Sequence, residues 1–153
     1  MVGGSIPPAV ILFEGQEFMG IEEIMRIGID MDATITEMPA FFVILAKAFR
    51  VAGHKIYVVT YRAQQDRRNT EIELRELGIE YDELHLSDVH IDEGIGVFKA
   101  RMARELDLDI FFDDMPEALA DMPSKVKRMW LCDDSVYDLN GVIESMGPAI
   151  LKF

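Results

Sequence analysis

The sequence predicts an α/β fold: a three-layer, Rossmann-like parallel sheet with helices on both faces. Three observations predict it. Short runs rich in β-branched and aromatic residues recur along the chain. Segments of helical character separate them. The best of the runs end in polar residues, as strands do when their carboxyl ends line a ligand site.

The elements follow in order. MVGGSIPP is turn-rich, residues 9–13 (AVILF) suit a short strand, and residues 21–25 are too short to assign. Residues 26–30 (RIGID) read as a buried strand. Pro39–Val51 is apolar and helical, with Gly53 as its C-terminal glycine. Residues 55–60 (KIYVVT) form a second buried strand. Residues 64–77 form a charged helix closed by Gly78. A short third strand covers 83–86, a helix 96–106, a fourth strand 110–112 (IFF), a short helix 116–121 and a fifth strand 128–132 (RMWLC). Residues 1–25 are expected to be an extension packed on or near the core, and residues 26–153 the core domain. With 153 residues, half of them apolar, one domain can bury a full core.

Composition narrows the function classes. The apolar runs stop short of the roughly 20 residues a membrane span needs, so no membrane role is expected. No Lys or Arg precedes the first apolar run, so a signal peptide is not expected either. One cysteine, Cys132, excludes an internal disulfide framework, and a cytoplasmic setting fits best. The formal net charge is −13, with 28 acidic against 15 basic residues. Such a field disfavours long nucleic acids, and the one dense basic stretch is Arg62, Arg67 and Arg68. His54, His85 and His90 are scattered without ligand spacing and read as structural. The ten methionines read as core filler.

The candidate chemistry lies where strands end. The first strand runs into Asp30-Met31-Asp32-Ala33-Thr34, the second into Thr60-Tyr61-Arg62, the fourth into Asp113-Asp114 and the fifth into Asp133-Asp134. Lys99 sits near the start of the helix before the fourth strand. A parallel sheet gathers these ends along one edge. Clustered carboxylates repel one another and need a cation, and hard oxygen donors beside a phosphate favour Mg²⁺. A strand-end carboxylate can then attack phosphorus, and a second carboxylate two residues on can protonate the leaving oxygen. A hydroxyl and an ammonium can hold the transferring phosphoryl group. Taken singly, each residue has an ordinary reading as a turn, a surface charge or a strand terminus; the order of the set is the specific signal.

That order resembles the haloacid dehalogenase-like phosphatase superfamily over residues 26–132. IGIDMDATIT is similar to its first motif, VVTYR to its second, the lysine of VFKARMAREL to its third and IFFDDMPEAL to its fourth. The resemblance implies a Mg²⁺-dependent phosphomonoester hydrolase working through an aspartyl-phosphate. Asp30 would be the nucleophile, Asp32 the general acid/base and a Mg²⁺ ligand through its main-chain carbonyl, and Thr60 and Lys99 the phosphoryl clamp. Asp113 is the favoured fourth-motif metal ligand, with Asp114 close behind. Dehalogenases of the superfamily lack the second Asp, so Asp32 argues for phosphoryl transfer. One departure is Ala33 where glycine is frequent; alanine fits there if φ stays negative.

The short stretches after Thr34 and between Gly78 and Gly96 leave no room for a substantial cap. The expected substrate is a phosphorylated small molecule or nucleotide. The segment after Thr60 is similar to the nucleotidase and polynucleotide 3′-phosphatase branches, and Arg62 could hold a substrate phosphate or sugar, or be a plain surface charge. Association into a homo-oligomer stays open. The alternative class is a non-catalytic or receiver-like binding module, in which an acidic pair precedes the phospho-accepting Asp.

Overall fold

The computed structural model describes residues 23–88, 90 and 92–132. The expected strand at 9–13, most of the expected extension at 1–25 and the Asp133-Asp134 pair lie outside the described residues. Five parallel strands alternate with helices: β1 (Arg26–Ile29), α1 (Pro39–Val51), β2 (Lys55–Ala63), α2 (Arg67–Leu77), β3 (Glu83–Ser87), α3 (Ile95–Glu105), β4 (Ile110–Asp113), α4 (Pro116–Ala120) and β5 (Lys127–Trp130). The sheet order is β3-β2-β1-β4-β5. This is the doubly wound order that reverses direction beside β1, where such folds bind ligands, and it differs from the 2-1-3-4-5 winding of receiver domains. Among the described residues no large cap interrupts it, as expected.

Strand alternation divides the core. Ile27, Ile29, Ile56 and Val58 face Phe42 and Ala46 of α1 and Leu74 of α2. Tyr57, Val59 and Phe111 face Phe98, Met102 and Ala103 of α3 and Leu119 of α4. Both faces of the sheet are therefore apolar, which is why the strands read as continuous apolar runs. Gly28 has a packing reason in the middle of β1: an added Cβ would stand 2.6 Å from the Phe111 ring and 2.7 Å from Leu108. Helices α1 and α2 end as expected, with Gly53 and Gly78 in left-handed conformation at φ 91° and 78°. Among the described residues, no helix is long and apolar enough to cross a membrane.

Some boundaries differ from expectation, each for a tertiary reason. β2 does not stop at Thr60 but continues to Ala63, after a register shift against β3. Ser87 caps that extension, its Oγ lying 2.9 Å from the Tyr61 carbonyl and 3.1 Å from that of Arg62. Residues Gln64–Asp66 form a tight turn before α2 rather than its first turn. β5 starts one residue early, because the Lys127 N–H donates to the Asp109 carbonyl, and it ends at Trp130 rather than Cys132.

Ala33 is a correction of more consequence. Its φ is 57° and ψ 11°, in the left-handed region. Asp32 stays extended, the Ala33 N–H donates to Thr36 Oγ1 at 2.9 Å, and the Thr36 N–H donates to the Met31 carbonyl at 3.1 Å. These two bonds close the turn and override the alanine's preference. A Cβ in this region costs about 1–2 kcal/mol, whereas glycine adds roughly 0.5–1 kcal/mol of unfolded-chain entropy. Ala33→Gly is therefore expected to leave stability unchanged or raise it by up to about 1 kcal/mol. Urea melts would check this, and a loss above about 1 kcal/mol would contradict the left-handed assignment.

Candidate functional site

The centre of the site is a buried lysine between two carboxylates. Asp30 leaves β1 with its N–H donated to the Phe112 carbonyl of neighbouring β4, at 2.9 Å. Asp113 ends β4 and is fully buried. Lys99 lies on the buried face of α3 and is itself fully buried. Its ammonium donates to Asp30 Oδ1 at 2.5 Å, the Val59 carbonyl at 2.8 Å and Asp113 Oδ2 at 3.0 Å. Three protons meet three acceptors, so the charge is compensated without water. The second oxygen of Asp113 accepts the Met115 N–H at 2.9 Å.

Thr34 links this core to the other acid of the fourth strand end. Its Oγ1 lies 3.4 Å from Asp30 Oδ2 and 3.3 Å from Asp114 Oδ1, and its one proton serves either. The Asp114 main-chain carbonyl accepts the Trp130 indole N–H at 3.0 Å, which ties β5 to the site. Asp30, Asp113 and Asp114 each offer a carboxylate oxygen, all within 4.8 Å of one another. Burial pushes the Asp30 carboxyl up to about 6; Lys99 opposes the shift and Asp113 adds to it. Burial also raises Asp114, with Asp113 contributing. Three carboxylates around one ammonium leave an excess of buried negative charge. An all-oxygen donor set of this kind fits a hard divalent cation.

Asp32 and Arg62 form a second cluster beside the first. The Asp32 side chain is 61% exposed. Arg62 grips it with one edge of the guanidinium, Nε to Oδ2 at 2.9 Å and Nη2 to Oδ1 at 2.5 Å. The remaining Arg62 nitrogen donates to Glu73 Oε2 at 2.6 Å and Thr70 Oγ1 at 3.3 Å. The guanidinium therefore faces acids of its own chain. Thr60 is buried, accepts the Arg62 N–H at 3.4 Å, and adjoins the Val59 carbonyl that holds Lys99. Arg67 is also engaged, donating to the Leu84 carbonyl at 3.1 Å, whereas Arg68 is exposed.

Sequence reasoning passed over four participants. Thr34 stood inside the first motif and was discoverable from its position four residues after Asp30. Glu73 and Thr70 share a face of α2, yet nothing local ties them to Arg62. The Val59 carbonyl is a backbone group that no pattern marks.

No protein-family model matches this chain, and no curated protein matches it in sequence. Solved structures do. Two structures of the Pnkp1/Rnl/Hen1 RNA repair complex contain a chain that superposes with TM-scores of 0.60 and 0.61 at 15% identity. The overlap covers 71% and 72% of this chain but only 42% and 47% of those, so it spans less than half the length of those two chains. An uncharacterized protein from Corynebacterium glutamicum superposes at a TM-score of 0.51 and 14% identity, over 82% of this chain and 94% of that one. At such identities the likeness establishes the α/β Rossmann-like fold and nothing finer.

Proposed function

We propose that the chain is a metal-dependent phosphomonoester hydrolase with Asp30 as its nucleophile. The observation that carries this reading is the buried Asp30 at the end of the central strand, held by Lys99 beside the Asp113 and Asp114 carboxylates. Asp30, Asp113, Asp114 and the Asp32 main-chain carbonyl would hold Mg²⁺, whose charge would offset the carboxylates and polarise the phosphoryl oxygens.

The chain's own residues account for the rest. Lys99, its three protons taken by Asp30, Asp113 and the Val59 carbonyl, fixes the Asp30 carboxylate, and Thr60 would supply the hydroxyl donor to the phosphoryl oxygens. An Asp30 oxygen bonds to phosphorus as the bond to the ester oxygen breaks, and Asp32, entering this step in its protonated form, gives that oxygen its proton. Asp32, now ionised, takes a proton from water, whose oxygen attacks the phosphorus of the aspartyl-phosphate. Inorganic phosphate leaves and both carboxyl groups return to their starting states.

Turnover of p-nitrophenyl phosphate tests the reading. Activity is expected to fall to background in EDTA and return with Mg²⁺. The melting temperature is expected to rise with Mg²⁺, since a ligand bound only to the native state stabilises it. Full activity in chelator would overturn metal dependence. The RNA repair complex among the similar folds supports including 3′-phosphorylated nucleotides and short oligonucleotides among the substrates tried. The net charge of −13 argues against long polynucleotides.

A further inference from the structure

Arg62 stands just past the buried Thr60, at the carboxyl edge of the sheet, yet its hydrogen bonds run to its own chain. Nε and Nη2 engage both oxygens of Asp32, and Nη1 is held by Glu73 and Thr70. Only one of five N–H donors is left over. A bidentate arginine–carboxylate pair fixes the plane and direction of the carboxylate, which a lysine cannot do. Asp32 needs such a guide. It follows the strand by three residues, it precedes the left-handed Ala33, and its side chain is mostly in solvent. Among the described residues, the Asp32 carboxylate is held by Arg62 alone. The guide is itself braced: Thr70 Oγ1 donates to the Asp66 carbonyl at 3.0 Å, which anchors it to the first turn of α2.

We infer that Arg62 is a positioning residue for Asp32 and not a substrate ligand, with Thr70 and Glu73 of α2 as its mount. The inference rests on the reading of Asp32 as general acid/base. It makes the orientation of the acid depend on α2, an element that carries none of the residues assigned to chemistry.

The test compares Arg62→Gln, Arg62→Lys, Glu73→Gln, Asp32→Asn and the Arg62→Gln/Asp32→Asn double variant, on an alkyl phosphate and on p-nitrophenyl phosphate. General acid help is typically worth about 10²–10⁴-fold, and an activated aryl leaving group needs less of it. Arg62→Gln is expected to lower kcat/KM more on the alkyl than on the aryl substrate, through kcat with KM little changed. Arg62→Lys should fail to restore the rate, and Glu73→Gln should show a weaker form of the same pattern. In the Asp32→Asn background Arg62→Gln should change the rate less than about threefold, because groups acting as a unit are not additive. Binding of inorganic phosphate to the Mg²⁺-loaded protein, read by calorimetry, should stay within about threefold of wild type in Arg62→Gln. Equal losses on both substrates, multiplicative with Asp32→Asn, or phosphate binding weakened tenfold or more would make Arg62 a substrate ligand and overturn the inference. No turnover by wild type would instead count against the phosphatase reading. Melting-temperature shifts of the two single variants and the double variant then test the pair alone: a double shift smaller than the sum supports it, and strictly additive shifts overturn it.

Discussion

Replacing Asp30 with Asn is expected to abolish phosphate-ester turnover while leaving the metal-free protein as stable as wild type or more so. The amide has the shape of the carboxylate but is a poor nucleophile, so the loss should be complete within assay background. The stability effect follows from burial. The Asp30 carboxyl is raised from 3.8 to about 6, chiefly because burial disfavours its charge, although Lys99 opposes this. A group whose folded-state value lies above its unfolded one favours the fold at low pH and loses that contribution as pH rises. The window here is about pH 4 to 6. Asp30→Asn lacks this slope. It is expected to be more stable than wild type by about 1–2 kcal/mol at pH 7.5 in EDTA, with the difference shrinking toward pH 4.5. Asp114, raised in the same direction, titrates in both proteins and does not blur the comparison. Urea melts at the two pH values would check the sign, and p-nitrophenyl phosphate turnover the loss. Substantial residual activity would move the nucleophile elsewhere. A variant less stable than wild type at pH 7.5 would mean that the Lys99 contact outweighs the burial cost.

Lys99→Met should be the most destabilising substitution in the site. Methionine fills much of the space of the lysine stem, so packing changes little, and what is lost is the ammonium, which lies 5.2 Å from the centre of the Phe111 ring. Asp30 and Asp113, 7% and 0% exposed, are left facing each other without their shared cation. Removing one partner of a buried ionic cluster costs about 3–5 kcal/mol. The loss should be greatest at pH 7.5 in EDTA and smaller near pH 5, where a carboxyl can take up a proton instead. Mg²⁺ should recover part of it, because a cation at the acids replaces some of the missing charge. Denaturant melts across these three conditions give the pattern. A variant within about 1 kcal/mol of wild type in EDTA at pH 7.5 would contradict the assignment of Lys99 as the charge that holds the strand ends together.

The layered α/β fold was legible because its signals are local. Apolar runs such as KIYVVT and IFF show that both faces of the strands are covered, and Gly53 and Gly78 mark helix ends through a backbone conformation that glycine adopts without strain. Asp30, Lys99 and Asp113 were legible as candidates for a related reason: in a parallel sheet, whatever follows a strand lands on one edge. What the sequence could not determine is which of those groups touch. Lys99 meets Asp30 across 69 residues and Arg62 meets Asp32 across 30, and both contacts depend on strand register and on the face α3 or α2 presents. Alanine's intrinsic preference for negative φ does not hold at Ala33, because Thr36 and Met31 close a turn that overrides it. Arg62 reads as a cation near a phosphate site in the sequence alone. Only packing brought Glu73 and Thr70 of α2 within its reach, and a guanidinium satisfied by its own chain's carboxylates turns from ligand to brace.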